Sequence, residues 1–484
     1  MAEAPAQLRK ILGRRQVLAI AFGAMVGWGW VVLSGEMIDR AGTIGSAAAF
    51  VVGAIMVLLV GLTYAELTPA LSRAGGELGF AFAGIGPRAA FVCGWTLILA
   101  YLSVCAFEAV ALPTVLGYLF PGWEGPHLYT IAGWEVRLNW VLIGVGGALA
   151  IGLTNYFGVT LASAVQTSAT IALLLVGLAF FIPGNVTGEL ARLEPYFTDL
   201  GGFFGVVIMT PFLFLGFDVI PQVAEEVKIP ALTIGRLILI SILVAVVWYV
   251  LVQWTVGLTL DDAALAASEL ATADAMTEVY GSAWGGRVLV FGGLLGILTS
   301  WNAFFIGASR VMFAMSRGGM LPGLFSRLHP QHGSPVFVVA LLTAVTAIAP
   351  FFGRRALVWL VDAGGLAAVL AYFFVTVSFL RLRRTHPDLP RPYRAPAPFV
   401  TGSLAVLATL FFIGLYMPGS PSALVWPAEW LIVLSWAALG LLFAVVNRRR
   451  AVQLGYDEQA RRILGQYAGA FVRSPEAEPV ATET

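Results

Sequence analysis

The chain has 484 residues, of which 59% are hydrophobic and only 11% charged, and its formal net charge is +1. Soluble globular domains are about 25% charged, so this composition excludes a soluble protein and indicates one that crosses a membrane many times. The balanced charge leaves no basic field to attract nucleic acid, and we exclude nucleic-acid binding.

Long apolar stretches predict the spans. A helix needs roughly 20 apolar residues to cross the hydrocarbon core. The fold class expected is therefore an all-α integral membrane protein, and an even number of spans places both termini on one side. The sequence predicts twelve transmembrane helices, at about 16–39, 43–71, 88–119, 138–155, 158–182, 203–227, 233–258, 287–316, 335–352, 356–382, 397–417 and 425–447.

Basic residues indicate which side that is. In this topology 22 of the 28 Lys and Arg residues lie on the side of the termini. Because loops rich in Lys and Arg stay in the cytoplasm, we predict cytoplasmic termini and a plasma (inner) membrane location. The N-terminal segment 1–15 precedes a retained first span, since no small-residue cleavage site follows it. The six opposite residues are Arg40, Arg137, Arg192, Arg287, Arg354 and Arg355.

The loops and the tail carry little chemistry. All four histidines fall in predicted loops, so we expect no haem, no metal site within the spans and no cofactor. The longest outer loop, about 259–286, is acidic and predicts short surface helices. The tail at 448–484 begins amphipathic and ends in an acidic stretch rich in Ala and Pro, which is typical of disorder.

The first span is the most informative, because four glycines interrupt its apolar stretch 22–36. Each glycine in a helix costs about 1 kcal/mol relative to alanine. In a bilayer a helix breaks only where the freed peptide groups are buried in protein or line a wet cavity. A break at Gly27, Trp28 and Gly29 therefore predicts a cavity for a ligand. The alternative is that the glycines only allow close helix packing.

The sixth span repeats this device. Pro211, Gly216 and Pro221 interrupt it, and an internal proline removes a backbone hydrogen bond. If spans one to five and six to ten are two repeats, span six corresponds to span one. A pair of interrupted segments at corresponding positions marks the binding site of inverted-repeat transporters.

The two breaks offer complementary chemistry. The half-helix starting near Trp28 and Trp30 presents unpaired N–H groups and a positive dipole end, which suit a carboxylate. The facing break carries Asp218, and carbonyl groups near Leu215 suit an ammonium group or a cation. Together they fit the head group of an amino acid.

Three acids, Glu108, Asp218 and Asp362, lie inside predicted spans. A charge there costs roughly 2.5–3.5 kcal/mol on insertion scales, so each should face the protein interior or water. No Lys or Arg lies deep in a predicted span, so the positive partner is a substrate, a metal cation or a proton. The alternative is a neutral carboxyl bonded to the backbone, which stays open for Glu108 and is preferred for Asp362. For Glu66 and Glu77, near span ends, we expect interfacial or loop roles.

Five segments, in order and over about residues 12–450, resemble the amino acid–polyamine–organocation (APC) superfamily of secondary transporters. They are G-A-M-V-G-W-G-W-V at 23–31, Y-A-E-L-T-P-A-L-S-R-A-G-G-E at 64–77, G-F-D-V-I-P-Q-V-A-E-E-V-K-I-P at 216–230, N-A-F-F-I-G-A-S-R-V-M-F-A-M-S-R-G-G-M-L-P at 302–322 and R-T-H-P-D-L-P-R-P-Y-R-A-P at 384–396. The resemblance implies a five-plus-five inverted-repeat (LeuT-like) fold with discontinuous helices one and six. Its repeats would be 16–182 and 203–382, followed by two extra helices within 397–447.

The resemblance also implies residue roles. The residues expected to hold the substrate carboxylate are Val26, Gly27, Trp28, Gly29 and Trp30. The aromatic expected to close over the substrate is Phe212, and those expected to meet the amino group or the coupling machinery are Leu215, Gly216 and Asp218. Further candidate contacts from the residues themselves are Glu108, Phe214 and Trp301, although aromatic residues in membrane proteins more often serve packing.

Two departures from the family pattern matter. Many relatives have a small-residue run where this chain has Trp28 and Trp30, so the pocket is reshaped and relatives' substrates do not transfer. Several relatives have a lysine in span five, aligned through the segment 158–160, where this chain has the apolar Leu173. Thr299 and Ser300, together with span-one carbonyls, then form a candidate sodium site, and Glu108 and Asp218 are the other coupling-ion candidates.

We therefore expect a secondary transporter of an amino acid or related amine, working by alternating access and coupled to protons or sodium. Exchange of amino acids or polyamines is an alternative, and a channel is a weaker one. An enzyme is not expected, because no nucleophile–base or metal constellation is visible in the spans. The expected partners are the substrate, the coupling ion and the lipid bilayer, for a monomer or a homodimer.

Overall fold

The computed structural model of the protein describes residues 12–73, 75–123, 125–157 and 160–472, with the backbone alone at 160–165. Residues 1–11 and 473–484 lie outside this part, and so does the predicted disorder at the end of the tail. Gly158 and Val159, through which Leu173 is aligned, lie outside it too.

The described chain is mostly helical. In order, its helices are α1 (Arg14–Met25), α2 (Gly29–Val32), α3 (Ser34–Ala41), α4 (Thr43–Ala70), α5 (Gly76–Gly84), α6 (Pro87–Leu119), α7 (Leu138–Phe157), α8 (Thr160–Thr187), α9 (Leu200–Leu213), α10 (Val219–Gln222), α11 (Ala231–Thr259), α12 (Asp262–Ala267), α13 (Ala271–Tyr280), α14 (Ala283–Arg317), α15 (Val336–Ile348), α16 (Ala356–Thr385), α17 (Pro398–Tyr416) and α18 (Ala428–Leu464). Its two strands are β1 (His127–Ile131) and β2 (Trp134–Arg137).

Within the described residues, ten helical segments are long and apolar enough to cross a membrane. Two further apolar segments, Leu200–Leu213 and Val336–Phe352, are shorter. Every predicted span therefore contains a helix, and the prediction of a multi-pass helical membrane protein is confirmed. The count of twelve spans and the inverted repeat stay predictions.

Three segments outside the predicted spans also have regular secondary structure. The acidic outer loop holds two short helices, α12 and α13. No residue of α12 is buried, as expected of a surface helix, whereas five of the ten residues of α13 are buried, so the prediction of a surface helix is wrong for α13. The segment from His127, predicted as a loop, instead forms an antiparallel hairpin of β1 and β2. It turns at Ala132 and Gly133 with φ of 48° and 77°, the left-handed conformation that tight hairpins need. Helix α18 bends at Gly455, with φ of 67°, and its amphipathic end continues to Leu464.

The packing places the first span at the centre. Helix α1 packs against α8, α11 and α14, while α6 lies between α14 and α16. Helix α9 packs against α4 and α16. The spans containing α1 and α6 are mostly buried, whereas most residues of α17 and of the apolar part of α18 are not buried within the protein. A site at the centre would therefore be lined by α1, α6, α9 and α14.

Candidate functional site

The first span is discontinuous, as its glycines predicted. Helix α1 ends at Met25 and α2 begins at Gly29. Val26 still donates its N–H to Phe22 O at 2.9 Å. Among the described residues, the N–H groups of Gly27, Gly29 and Trp30 have no acceptor. This break therefore offers peptide donors to an anionic group.

The sixth span is discontinuous as well. Helix α9 ends at Leu213, and the chain turns through residues 214–218 before α10. Gly216 adopts φ of 138°, a conformation that favours glycine, and donates its N–H to Asp218 Oδ1 at 2.6 Å. The carbonyl oxygens of Leu213, Phe214 and Leu215 accept no hydrogen bond from the described residues. This break therefore offers acceptors to a cationic group.

The two breaks touch through their glycines. A Cβ atom at Gly216 would lie 2.6 Å from Met25 N and 2.9 Å from Ala24 Cβ. A Cβ atom at Gly29 would lie 2.5 Å from Leu213 Cδ2. Real Cβ atoms do not approach other atoms this closely. A side chain at Gly216 would meet backbone and push the breaks apart, whereas a side chain at Gly29 would displace the flexible Leu213 side chain.

Two tyrosines that the sequence did not single out hold the broken ends in place. The Tyr249 hydroxyl of α11 donates to Met25 O at 2.7 Å, and the Tyr101 hydroxyl of α6 donates to Asp218 O at 3.1 Å. Both carbonyl groups belong to interrupted helices, so the phenols replace hydrogen bonds that the helices lose. Sequence reasoning missed these contacts because each joins residues more than 100 positions apart.

Glu108 lies directly beside the first break. Its Oε1 accepts a hydrogen bond from the Ser300 hydroxyl and lies 3.4 Å from the Trp28 N–H. Its Oε2 has no partner among the described residues. A Cβ atom at Gly27 would collide with Glu108 Oε1 and lie 2.6 Å from Ser300 Oγ. The structure therefore brings together four residues that the sequence nominated as candidates, Gly27, Trp28, Glu108 and Ser300.

Oxygen atoms collect beside this carboxyl. The Thr299 hydroxyl is 3.0 Å from both Gly23 O and Gly296 O. A Cβ atom at Gly296 would lie 2.7 Å from Gly27 O and 2.9 Å from Val26 O. Hard cations prefer such oxygen ligands. Over the described part of the chain, no group of three or more His, Cys, Asp or Glu residues is placed to hold a metal ion.

The tryptophans fill helix interfaces. The Trp28 ring packs tightly on Gly293 of α14, and the Trp30 ring meets the Trp248 ring of α11 edge-on at 5.2 Å. The Trp301 ring packs on α7, where a Cβ atom at Gly147 would lie 3.0 Å from Trp301 Cζ3. Trp28 and Trp30 therefore shape the packing around the first break, and the ring of Trp301 is directed toward α7.

The two candidate phenylalanines lie at the second break. The Phe212 ring is 5.5 Å from the Phe107 ring of α6 and packs against Gly364 of α16. The Phe214 ring meets the Tyr249 ring edge-on at 5.7 Å. Phe212 thus stands between the break and the two helices, α6 and α16, that border it.

Glu77 is buried, and the prediction of an interfacial or loop role for it is wrong. It is the second residue of the short helix α5, is 0% exposed, and accepts a hydrogen bond from the Gln222 amide of α10. Burial, and then the charge of Asp218, raise the pKa of the Glu77 carboxyl well above its ordinary value. The signal available in the sequence was an acid inside the apolar run of α5.

Two other acids also differ from expectation. Glu66, predicted at an interface or in a loop, is buried and pairs with Arg383 and with Arg391, the latter at 3.1 Å. Asp362, for which a backbone partner was preferred, is buried, and its Oδ1 has no hydrogen-bond partner among the described residues. Neither acid reaches the two breaks, so the acids at the candidate site are Glu108 and Asp218.

The residues of both breaks lie within the part of the chain that matches known proteins. The sequence profile of the family described as Amino acid permease matches residues 12–442. The branched-chain amino acid permease BcaP of Bacillus subtilis (strain 168) is 30% identical over 424 residues, covering 84% of this chain and 88% of that protein. The methylthioribose transporter of the same organism is 26% identical over 462 residues, covering 92% of this chain and 94% of that protein. The aspartate-proton symporter of Bacillus subtilis (strain 168) is 26% identical over 428 residues, covering 84% of this chain and 79% of that protein.

Proposed function

Because the chain belongs to the amino acid permease family, within the APC superfamily, we propose that it carries an amino acid or a related organic amine across the plasma membrane. Transport proceeds by alternating access, with one repeat moving against the other around a central site. A proton or a sodium ion drives it. The termini lie in the cytoplasm.

The contact between the two breaks carries this proposal. On one side it leaves peptide N–H groups at Gly27, Gly29 and Trp30 without acceptors in the described chain. On the other side stand Asp218 and the carbonyl groups that end α9. A substrate with a carboxylate and an adjacent ammonium group would satisfy both sets at once. A substrate with only one of these groups would leave buried polar atoms unpaired, which is unfavourable.

Two features support coupling to a cation. Neither Glu108 nor Asp218 forms an ion pair with Lys or Arg in the described part of the chain. Glu108 is therefore placed to take up a proton during the cycle. The oxygen atoms around Thr299 and Ser300 offer a position for sodium instead. The two alternatives predict different driving gradients.

The direct test is uptake by the purified protein in proteoliposomes, with proton and sodium gradients imposed separately. The panel should include branched-chain, acidic and cationic amino acids, polyamines and methylthioribose, because the relatives' names differ in substrate. We expect saturable uptake of at least one amino acid or amine, accelerated by one of the two gradients. Current that rises linearly with voltage and does not saturate with substrate would contradict a carrier.

A companion variant tests the site itself. Asp218→Asn keeps the side-chain volume and removes the charge at the second break. We expect a large loss of substrate affinity or of gradient coupling. Asp388→Asn, on an exposed loop, is the control and should leave both unchanged. Unchanged affinity and coupling in Asp218→Asn would remove Asp218 from the proposed site.

A further inference from the structure

A groove of about 810 Å³ lies far from the breaks, where the start of α6 meets the later part of α18. It is lined mainly by apolar side chains of these helices, and Gly455 at the bend of α18 also lines it. The lining residues that matter here are Arg88, Phe91, Val92, Val445, Arg448 and Val452.

The charge of this groove is one-sided. Arg88 and Arg448 both line it, and no Asp or Glu side chain does so in the described part of the chain. Neither arginine forms an ion pair with another described residue. Other basic residues near the same ends of the helices do have partners, such as Arg450, which donates to Leu321 O at 3.0 Å. The groove therefore presents two unpaired guanidinium groups beside an apolar wall.

The position of the groove fits the level of lipid headgroups. Arg88 is the second residue of α6, and Arg448 follows the apolar run of α18 with only Asn447 between them. Both helices are long and apolar enough to cross a membrane. Next to the arginines, the exposed side chains of Val92 and Val445 face outward toward hydrocarbon. The guanidinium groups and the apolar wall therefore lie at the depths of a phosphate and an acyl chain.

We propose that this groove binds an anionic phospholipid from the leaflet on the side of the basic loops. Its phosphate accepts hydrogen bonds from Arg88 and Arg448, and one acyl chain lies along the apolar wall. Arginine suits this role because its planar guanidinium group binds phosphate through two parallel hydrogen bonds. Basic pockets between membrane helices are a recurring mode of headgroup recognition.

The bound lipid would also support the end of α18. Beyond the bend at Gly455, the Tyr456 ring stacks on the Phe82 ring of α5 at 5.3 Å. The Gln459 amide donates to Gly318 O at 3.1 Å, which joins the same segment to the end of α14. Tyr456 and Gln459 both line the groove. A lipid there links the start of α6 to the segment that covers α5 and α14.

Native mass spectrometry of the full-length protein tests this proposal. The purified protein is mixed with phosphatidylglycerol or phosphatidylcholine, and the retained lipid is counted. We expect preferential retention of phosphatidylglycerol, and a loss of about 25-fold in the double variant Arg88→Gln/Arg448→Gln, since each arginine contributes about fivefold. The control Arg461→Gln/Arg462→Gln removes two nearby exposed arginines that pair with Glu458, and it should retain the lipid normally.

Three outcomes would overturn the proposal. These are equal retention of the two lipids by the wild type, wild-type retention by the double variant, and displacement of phosphatidylglycerol by inorganic phosphate alone. If the double variant is unstable, the single variant Arg448→Gln replaces it, since Arg448 is exposed. The single variant is expected to lose about fivefold in retention, and an unchanged value would equally reject the site.

Discussion

Two glycines leave space for other groups at the interrupted spans. Gly27 leaves room for the Glu108 carboxyl, and Gly216 leaves room for the Met25 peptide group. We expect Gly27→Ala and Gly216→Ala each to reduce uptake by at least tenfold, because the added methyl group displaces a carboxyl in one case and a backbone in the other. Gly216→Ala also places a Cβ at φ of 138°, which is strained. Initial uptake rates in proteoliposomes measure the effect.

A matched glycine separates this effect from helix propensity. Gly146 lies within α7, and a Cβ atom there meets nothing within 4 Å. Gly146→Ala should therefore transport at the wild-type rate and be as stable or slightly more stable, by up to about 1 kcal/mol. Equal activity of the three variants would show that the two breaks tolerate side chains.

Tyr249 supports the end of α1 with one hydrogen bond. Tyr249→Phe removes the donor to Met25 O and leaves that buried carbonyl unpaired. We expect a loss of about 1–3 kcal/mol of stability, seen as a lower thermal unfolding temperature in detergent. Tyr196→Phe, at an exposed position, is the control and should unfold like the wild type. An unchanged unfolding temperature for Tyr249→Phe would mean that water replaces the phenol.

Glu77 predicts a pH dependence. Burial raises its pKa in the folded protein, so the folded state binds the proton more tightly than the unfolded chain does. Its contribution to stability is then greatest below the ordinary carboxyl pKa and declines as the pH rises above that value. Unfolding temperatures measured across pH should fall more steeply for the wild type than for Glu77→Gln. Glu135→Gln, on the exposed hairpin, should follow the wild type, and parallel curves for all three would reject the prediction.

At the scale of elements, local composition predicted the interruptions but not what surrounds them. Glycine and proline have large intrinsic effects on a helix, so the ends of α1 and α9 were readable from a few residues. The directions of Trp28 and Trp30 depend on partners in α14 and α11, and no local pattern encodes these. The burial of Glu77 likewise follows from α10 packing over α5, a contact between distant parts of the chain.

The end of α4 and the end of α16 are joined by a buried ion cluster. Glu66 accepts hydrogen bonds from Arg383 and from the Ala395 N–H at 2.8 Å, and it pairs with Arg391. Removing this acid leaves two partly buried guanidinium groups without their partner. We expect Glu66→Ala to lose on the order of 3–5 kcal/mol of stability.

An exposed acid provides the comparison for Glu66. Glu458 also pairs with two arginines, but on an exposed surface of the α18 end. Glu458→Ala should change stability by about 1 kcal/mol or less. Thermal unfolding of both variants in the same detergent measures the difference. Similar shifts for the two variants would mean that the burial of the Glu66 cluster adds nothing.

At the scale of the whole molecule, the proposed orientation is open to chemical labelling. Both native cysteines, Cys93 and Cys105, are buried, so introduced thiols report alone. In right-side-out vesicles, a membrane-impermeant maleimide should label Ala263→Cys in the acidic outer loop. It should label Asp388→Cys, on the loop after α16, only after the membrane is opened. The reverse pattern would invert the topology inferred from the basic residues.

The contact of Gly216 with Met25 has a consequence for changing what this carrier accepts. A side chain at this contact would displace the backbone, because a Cβ atom at Gly216 would lie 2.6 Å from Met25 N. Substitutions intended to alter substrate selectivity should therefore be made at Phe212 and at its neighbours on α6 and α16. Variant libraries confined to these positions should yield new substrate preferences while the contact between the two breaks stays unchanged.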